Sequence, residues 1–457
     1  MEDTRQIKKM RVLMFPWFAH GHITPFLELA KKLFLRNFHI YFCSSPVNLN
    51  SIKQKLFSDP KFSNHSIELV ELHLPSLPSL PPHYHTTNGL PPHLMPTLDK
   101  AIDMAKPSFN KILETLKPDL VIRDFAPAWV PDLASSLKVP TIVFITSGAA
   151  LVSFSLYCLK NKGGDDYHHH DHVFPFPEVY LENMKSQLVQ NSEKSSIRAF
   201  QFNERSSNDN TILIKSSREL EGKYMDYISS SFGMKVVPVG PLVPYYVHDD
   251  EEGMDIINWL NKKEKSSTVF ACFGSQFYLS KEDMEEIAYG LELSKVNFIW
   301  VLRFAKGEVM KLEDALPNGF LERVRDKGLI VADWAPQLKI LKHSSIGGFV
   351  SHCGWNSLLE SIKFGVPIIA MPMQFDQPLN ARLVEECGIG LEVERDNNGR
   401  VGRENLAKVI RKVVVEKNGD GIRQKAKEMG ENMEKKDDEE LDGLVKELLQ
   451  LCQKECM

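Results

Sequence analysis

Residues 334–377 read WAPQLKILKHSSIGGFVSHCGWNSLLESIKFGVPIIAMPMQFDQ, and the fold follows from how this stretch alternates. The apolar run Gly348–Ser351 reads as a strand, Gly354 as a turn and Asn356-Ser357 as a polar helix start. The helix stops at Gly365-Val366-Pro367, a second apolar strand covers Ile368–Met371, and a polar loop closes on Asp376-Gln377. A strand that feeds a small-residue turn into a helix start makes an anion site, because free backbone N–H groups and the helix dipole converge there. The stretch is expected to hold a phosphate-bearing ligand.

The same alternation extends outward. Arg11–Pro16 reads as a strand, about Ile23–Leu35 as a helix with Phe26, Leu29, Ala30 and Leu33 on one face, and Phe38–Cys43 as the next strand. Asp119–Arg123, Thr141–Ile145 and Thr211–Ile214 continue the strands, and Ser216 with Glu219 reads as a capping box opening a helix. Further on, Thr268–Phe273, Phe298–Arg303 and Leu329–Ala332 are strands. Ser280 with Asp283 caps a helix whose inner face is Met284, Ile287, Ala288 and Leu291. Such alternation predicts an α/β protein, its parallel sheets covered by helices on both faces.

At 457 residues the chain exceeds one ordinary core. Two doubly wound, Rossmann-like domains facing each other across a cleft are expected, over residues 1–243 and 255–435. The proline-rich Val237–Pro244 and the acidic His248–Glu252 suggest a linker at 244–254. In the terminal segment 436–457, Leu441, Leu444, Val445, Leu448 and Leu451 form one apolar face. That face is expected to pack on the body, with a dimer contact as the lesser alternative. Two segments break the rhythm and are assigned to the rim of the cleft. Leu74–Pro96 holds seven prolines and should lack regular structure. Residues 163–176 include His168, His169, His170 and His172, read as a solvated loop rather than a metal site.

The composition narrows the function. A net charge of −5 argues against nucleic acid or an anionic membrane surface as partner. Seven scattered cysteines without a CxxC pair argue against a disulfide framework or a zinc site. With no signal-like N-terminus and no apolar run of membrane-spanning length, a cytoplasmic address is expected. No GxGxxG, GxxxxGK[ST] or GxSxG occurs, so a dinucleotide fingerprint, a P-loop and a hydrolase elbow are all missing.

In length (44 residues), WAPQ start, HCGWNS centre, GVP and DQ end, the stretch 334–377 closely resembles the donor-binding box of plant family 1 glycosyltransferases, and the wider resemblance covers essentially the whole chain. These enzymes move sugars from UDP-sugars to small molecules, and the resemblance implies the GT-B architecture. It also implies that Trp334 stacks on uracil, with the Ala335 backbone and Gln337 at its edge, and that Glu360 takes the ribose hydroxyls. His352, Gly354, Asn356, Ser357 and Ser275 would cradle the pyrophosphate, and Trp355, Asp376 and Gln377 the sugar. In Ala19-His20-Gly21-His22, His22 matches the catalytic base and Asp124 the aspartate that bonds its far nitrogen, while His20 stays a rival two residues away. Thr146 matches a position near the sugar.

The implied reaction is inverting and uses neither metal nor cofactor, the UDP-sugar being a co-substrate. Gln377 favours glucose over galactose by family precedent, and no cation follows His22 to receive a glucuronosyl carboxylate. PWFAHGHITPFLELAKKL and HIYFCSSPVNLN resemble the branch that adds a sugar to a sugar already on a glycoside. A flavonoid or terpenoid glycoside acceptor and a monomeric enzyme are expected. Transfer to the aglycone itself, or use of UDP-glucuronic acid or a UDP-pentose, are the alternatives. A catalytically silent UDP-sugar binder would be expected to lack the base.

Overall fold

The strands are near-continuous apolar runs, as parallel strands covered on both faces must be. In the computed structural model, residues 9–57, 61–62, 67–161, 173–190, 210–244, 253–274, 277–304, 312–396 and 399–454 are described. Ser275, the histidines at 168–172 and most of the expected linker lie outside them. The chain divides into two compact units, the first comprising 1–169, 182–242 and 437–457, the second 170–181 and 243–436.

The first unit runs β1 (Arg11–Phe15), α1 (His20–Phe34), β2 (His39–Ser44), α2 (Pro46–Phe57), β3 (Ile67–Glu71), α3 (Met95–Met104), α4 (Lys106–Leu116) and β4 (Leu120–Arg123). It continues with α5 (Val130–Ser136), β5 (Thr141–Ile145), α6 (Ala149–Lys160), α7 (Glu182–Gln190), β6 (Thr211–Ile214), α8 (Arg218–Phe232) and β7 (Lys235–Pro238). The sheet order is β3-β2-β1-β4-β5-β6-β7, and every pairing is parallel. Along β1 the side chains alternate. Val12 and Met14 join a core with Phe26 and Leu29 of α1, while Leu13 and Phe15 join another with Phe109 of α4.

The second unit runs α9 (Met254–Leu260), β8 (Thr268–Cys272), α10 (Lys281–Ser294), β9 (Asn297–Leu302), α11 (Leu312–Ala315), α12 (Phe320–Arg323) and β10 (Gly328–Ala332). Then come α13 (Gln337–Lys342), β11 (Ile346–Ser351), α14 (Trp355–Lys363), β12 (Ile368–Ala370), α15 (Gln377–Glu386), β13 (Gly390–Glu392), α16 (Arg403–Val414) and α17 (Asp420–Lys454). Its sheet is parallel in the order β10-β9-β8-β11-β12-β13. Val269 and Ala271 face one core and Phe270 the other.

Both sheets reverse their winding once, between β1 and β4 in the first and between β8 and β11 in the second. The adjacent loops diverge at such a switch point, which opens a crevice beyond the carboxyl ends of the strands.

Three expectations change. The cap of α8 is Ser217, whose Oγ accepts from the Leu220 N–H at 3.3 Å. Lys215 still donates to Ile145 O, which extends the ladder and delays the helix by a residue. Val237 and Pro238 belong to β7, and Val239, Leu242 and Val243 are buried, so this run is fold rather than linker. Proline is tolerated there because β7 is an edge strand. Within Leu74–Pro96, single 3-10 turns occur at Pro82–Tyr84 and Pro92–Leu94, Pro96 enters the first turn of α3, and Leu74, Leu80 and Leu90 are buried. The terminal apolar face packs within the first unit, where Leu441, Leu444 and Leu448 join the core of Val12 and Phe26.

Candidate active site

Each switch point carries one half of the expected chemistry. In the first unit β1 leads into α1, which presents His22, and β4 ends beside Asp124. His22 Nδ1 lies 2.8 Å from Asp124 Oδ2. The Asp124 side chain is fully buried and accepts two backbone N–H bonds, Trp17 to Oδ2 at 3.0 Å and Phe125 to Oδ1 at 2.8 Å. A carboxylate can only accept, so the imidazole donates from Nδ1 and the lone pair sits on Nε2. Thr146, just after β5, places Oγ1 3.0 Å from the same Nδ1 and holds the ring from another strand. Strand order β1-β4-β5 makes the cluster, since these residues lie 102 and 124 positions apart in the chain. An oriented imidazole with one free nitrogen is equipped to remove a proton.

In the second unit the residues of 334–377 gather on the loops after β10, β11 and β12. Each of these loops carries a non-glycine residue in the left-handed region: Asp333 (φ 63°), Cys353 (φ 65°) and Phe375 (φ 56°). Gly274 after β8 does likewise (φ 76°). Such conformations cost energy and concentrate where backbone must be aimed at a ligand. Trp334 follows Asp333 and is 56% exposed, an indole face open to stacking.

Gln337 begins α13 and reaches across to α14, its Nε2 donating to Ser357 Oγ (3.1 Å) and Glu360 Oε2 (2.6 Å). The structure thus groups Ser357 with the residues expected at uracil and ribose. His352 is enclosed by glycine. A Cβ on Gly274 would stand 2.6 Å from its Nε2, and one on Gly354 2.5 Å. Desolvation pushes its pKa down to about 4, so near neutrality it acts as an uncharged imidazole. Its buried Nδ1 has no hydrogen-bond partner among the described residues.

Trp355 is 5% exposed, so its ring is packed at the start of α14, in contrast to Trp334. Asn356 lies beside it in the first turn of the same helix. Gln377 is buried too, and its Oε1 accepts from the Met373 and Gln374 N–H groups at 2.9 Å each. Asp376 stands at the N-terminal boundary of α15, and its Oδ2 accepts from the Asn380 side chain, Nδ2, at 2.8 Å. Asn380 went unread in the sequence. It is 1% exposed, and its Nδ2 also donates to Cys353 O at 3.0 Å, which ties two of the loops together. Its signal was available, because Asp376 and Asn380 stand four residues apart at a helix start. Among the described residues no group of His, Cys, Asp or Glu could hold a metal ion, and no helix is long and apolar enough to cross a membrane.

Two family models match the chain: "Glycosyltransferase, N-terminal domain" over residues 8–244 and "UDP-glucoronosyl and UDP-glucosyl transferase" over 180–420. Among relatives, "UDP-glucosyltransferase 29" of Panax ginseng is 50% identical, with 98% of each chain covered. "Beta-D-glucosyl crocetin beta-1,6-glucosyltransferase" of Gardenia jasminoides is 47% identical over 96% of this chain and 98% of that protein. "Cyanidin-3-O-glucoside 2-O-glucuronosyltransferase" of Bellis perennis is 49% identical over 99% of both. Among solved structures, Medicago truncatula UGT71G1 complexed with UDP-glucose is similar at a TM-score of 0.78 and 26% identity, covering 97% of this chain and 99% of that one. With two parallel Rossmann-like sheets and these relatives, the chain belongs to the UDP-glucuronosyl and UDP-glucosyl transferases and is a UDP-glycosyltransferase of the GT-B fold.

Proposed function

We propose that the enzyme transfers glucose from UDP-glucose, with inversion, to a hydroxyl on the sugar of a plant glycoside, a flavonoid or terpenoid being the class expected. The single observation that carries this reading is the oriented imidazole: a protein that only bound UDP-sugars would not need His22 fixed by a buried carboxylate at 2.8 Å. His22 Nε2 takes the proton of the acceptor hydroxyl while its oxygen attacks the anomeric carbon from the face opposite the diphosphate. That oxygen–carbon bond forms as the bond to UDP breaks, and the released diphosphate carries away the electron pair. Backbone N–H groups at the start of α14 and the neutral His352 receive the developing charge.

Support for a sugar as acceptor comes from the crocetin and cyanidin relatives, both named for action on glucosides. The ginseng and gardenia relatives favour glucose as donor, and the Bellis relative makes glucuronic acid the competing one. The reaction needs no metal and no cofactor. The enzyme works as a monomer, a reading supported by the terminal apolar face, which is already covered within the first unit, and the cytosol is its proposed address.

The deciding experiment offers UDP-glucose, UDP-glucuronic acid and a UDP-pentose against aglycones and their monoglucosides, with products read by mass spectrometry. Diglucosides from monoglucosides are expected, and transfer to aglycones alone would sink the sugar-on-sugar reading. Excess EDTA should leave the rate unchanged, and a large loss would refute metal independence.

A further inference from the structure

The residues assigned to the donor carry a puzzling charge. Glu360 and Asp376 are acidic, His352 is uncharged near neutrality, and none of the others is a cation. Yet the ligand they are to hold is a diphosphate.

Arg303 resolves this. Strand β9 is buried from Phe298 onward and ends at Leu302, so Arg303 emerges at the carboxyl end of the sheet, between the loops after β8 and β10. Its side chain is half-buried and forms no ion pair with any described carboxylate. One guanidinium N–H, from Nη1, donates to Gly274 O at 3.4 Å, a long bond to a neutral acceptor. Such a bond repays little of the cost of withdrawing a guanidinium from water, and the remaining donors keep their capacity for an oxyanion. The Gly274 turn that Arg303 touches is the one that packs on His352 Nε2. Arg303 and Glu360 also both act electrostatically on the Cys272 thiol, in opposite senses, which sets the two charges around the end of β8. Arg395, the nearby alternative, is committed to the carbonyls of Pro372 and Gly399.

We propose that Arg303 is the cation that binds the donor's diphosphate and stabilises its departure. The inference rests on the assignment of the second unit to the UDP-sugar. The test is calorimetric titration of wild type, R303Q, R303K and R395Q with UDP, UMP and uridine, at two salt concentrations.

R303Q should bind UDP about ten- to one-hundredfold more weakly, the range for a lost charged hydrogen bond, with uridine unchanged. R303K should recover part of the loss, and the salt dependence of UDP binding should be shallower in R303Q than in wild type. Equal weakening of UDP and uridine would mean that Arg303 only shapes the Gly274 turn, and would overturn the proposal. So would a phosphate-specific loss in R395Q with none in R303Q, or UDP binding by R303Q equal to a wild type that binds UDP. A wild type that does not bind UDP overturns the donor assignment together with this inference. R303K, which keeps the charge, guards against a folding defect in the glutamine variant.

Discussion

Two histidines in this protein sit in opposite surroundings. His22 is partly open and its Nδ1 is engaged by Asp124 and Thr146, and in the proposed reaction Nε2 takes the acceptor's proton. His22→Ala should therefore lower turnover by about two to four orders of magnitude, the usual worth of a general base, while UDP affinity measured by titration stays within twofold. His352 is held neutral by desolvation, with its pKa lowered from 6.5 to about 4. The unfolded chain then binds more protons than the folded one between these values, so this stability contribution is complete above about pH 6.5 and is lost as pH falls toward 4. By pH 5 it should have cost roughly 1–2 kcal/mol, allowing for the ring's partial exposure. Urea titrations at pH 7 and pH 5 should show a smaller drop for His352→Asn than for wild type, and equal drops would refute this account. HCGWNS singles out His352 in the sequence, but not its charge, which depends on Gly274 arriving from 78 positions upstream.

Helices with a local cap were readable and those capped from afar were not. Ser280 accepts from the Asp283 N–H at 3.1 Å, as the pair of residues announced, because both partners lie within one turn. The start of α6 shows no such signal. Its Ala149 and Ala150 N–H groups donate, at 2.8 Å each, to the two carboxylate oxygens of Glu221, 72 and 71 residues away and fully buried. Glu221 itself departs from helical geometry (φ −131°), which bends α8 and brings the carboxylate to α6. Burial raises its carboxyl pKa, while the amide bonds oppose that shift. Glu221→Ala leaves two buried donors unpaired and should cost roughly 2–4 kcal/mol. Scanning calorimetry should record a lower Tm, and a change below about 0.5 kcal/mol would show that water replaces the carboxylate. Strand ends suffered in the same way. Gly390–Glu392 is a three-residue strand without a readable alternation, and β7 hid in a proline-rich run that only its pairing with β6 explains.

At the scale of the whole molecule, the first unit is assembled from discontinuous chain. Its core includes Leu441, Leu444 and Leu448 from the last helix, beside Val12 of the first strand. Leu444 is fully buried, so Leu444→Ala should cost about 2–4 kcal/mol through lost contacts and a cavity. Hydrogen exchange should localise the loss to β1, β4 and α1 and leave β8 and β11 protected; a uniform loss would mean that the two units melt as one. The sequence by itself determined the α/β class, because that rests on periodicity within a few dozen consecutive residues; two units follow from the length of the chain, and the donor reading of 334–377 from its resemblance to a known family. Only the tertiary structure decided which residues share a crevice. His22 meets Asp124 and Thr146, and Arg303 meets Gly274, because parallel strands in a set order and register align residues far apart in the chain. That order is chosen by burying both faces of a sheet at once, a condition on the whole layer that no local pattern carries.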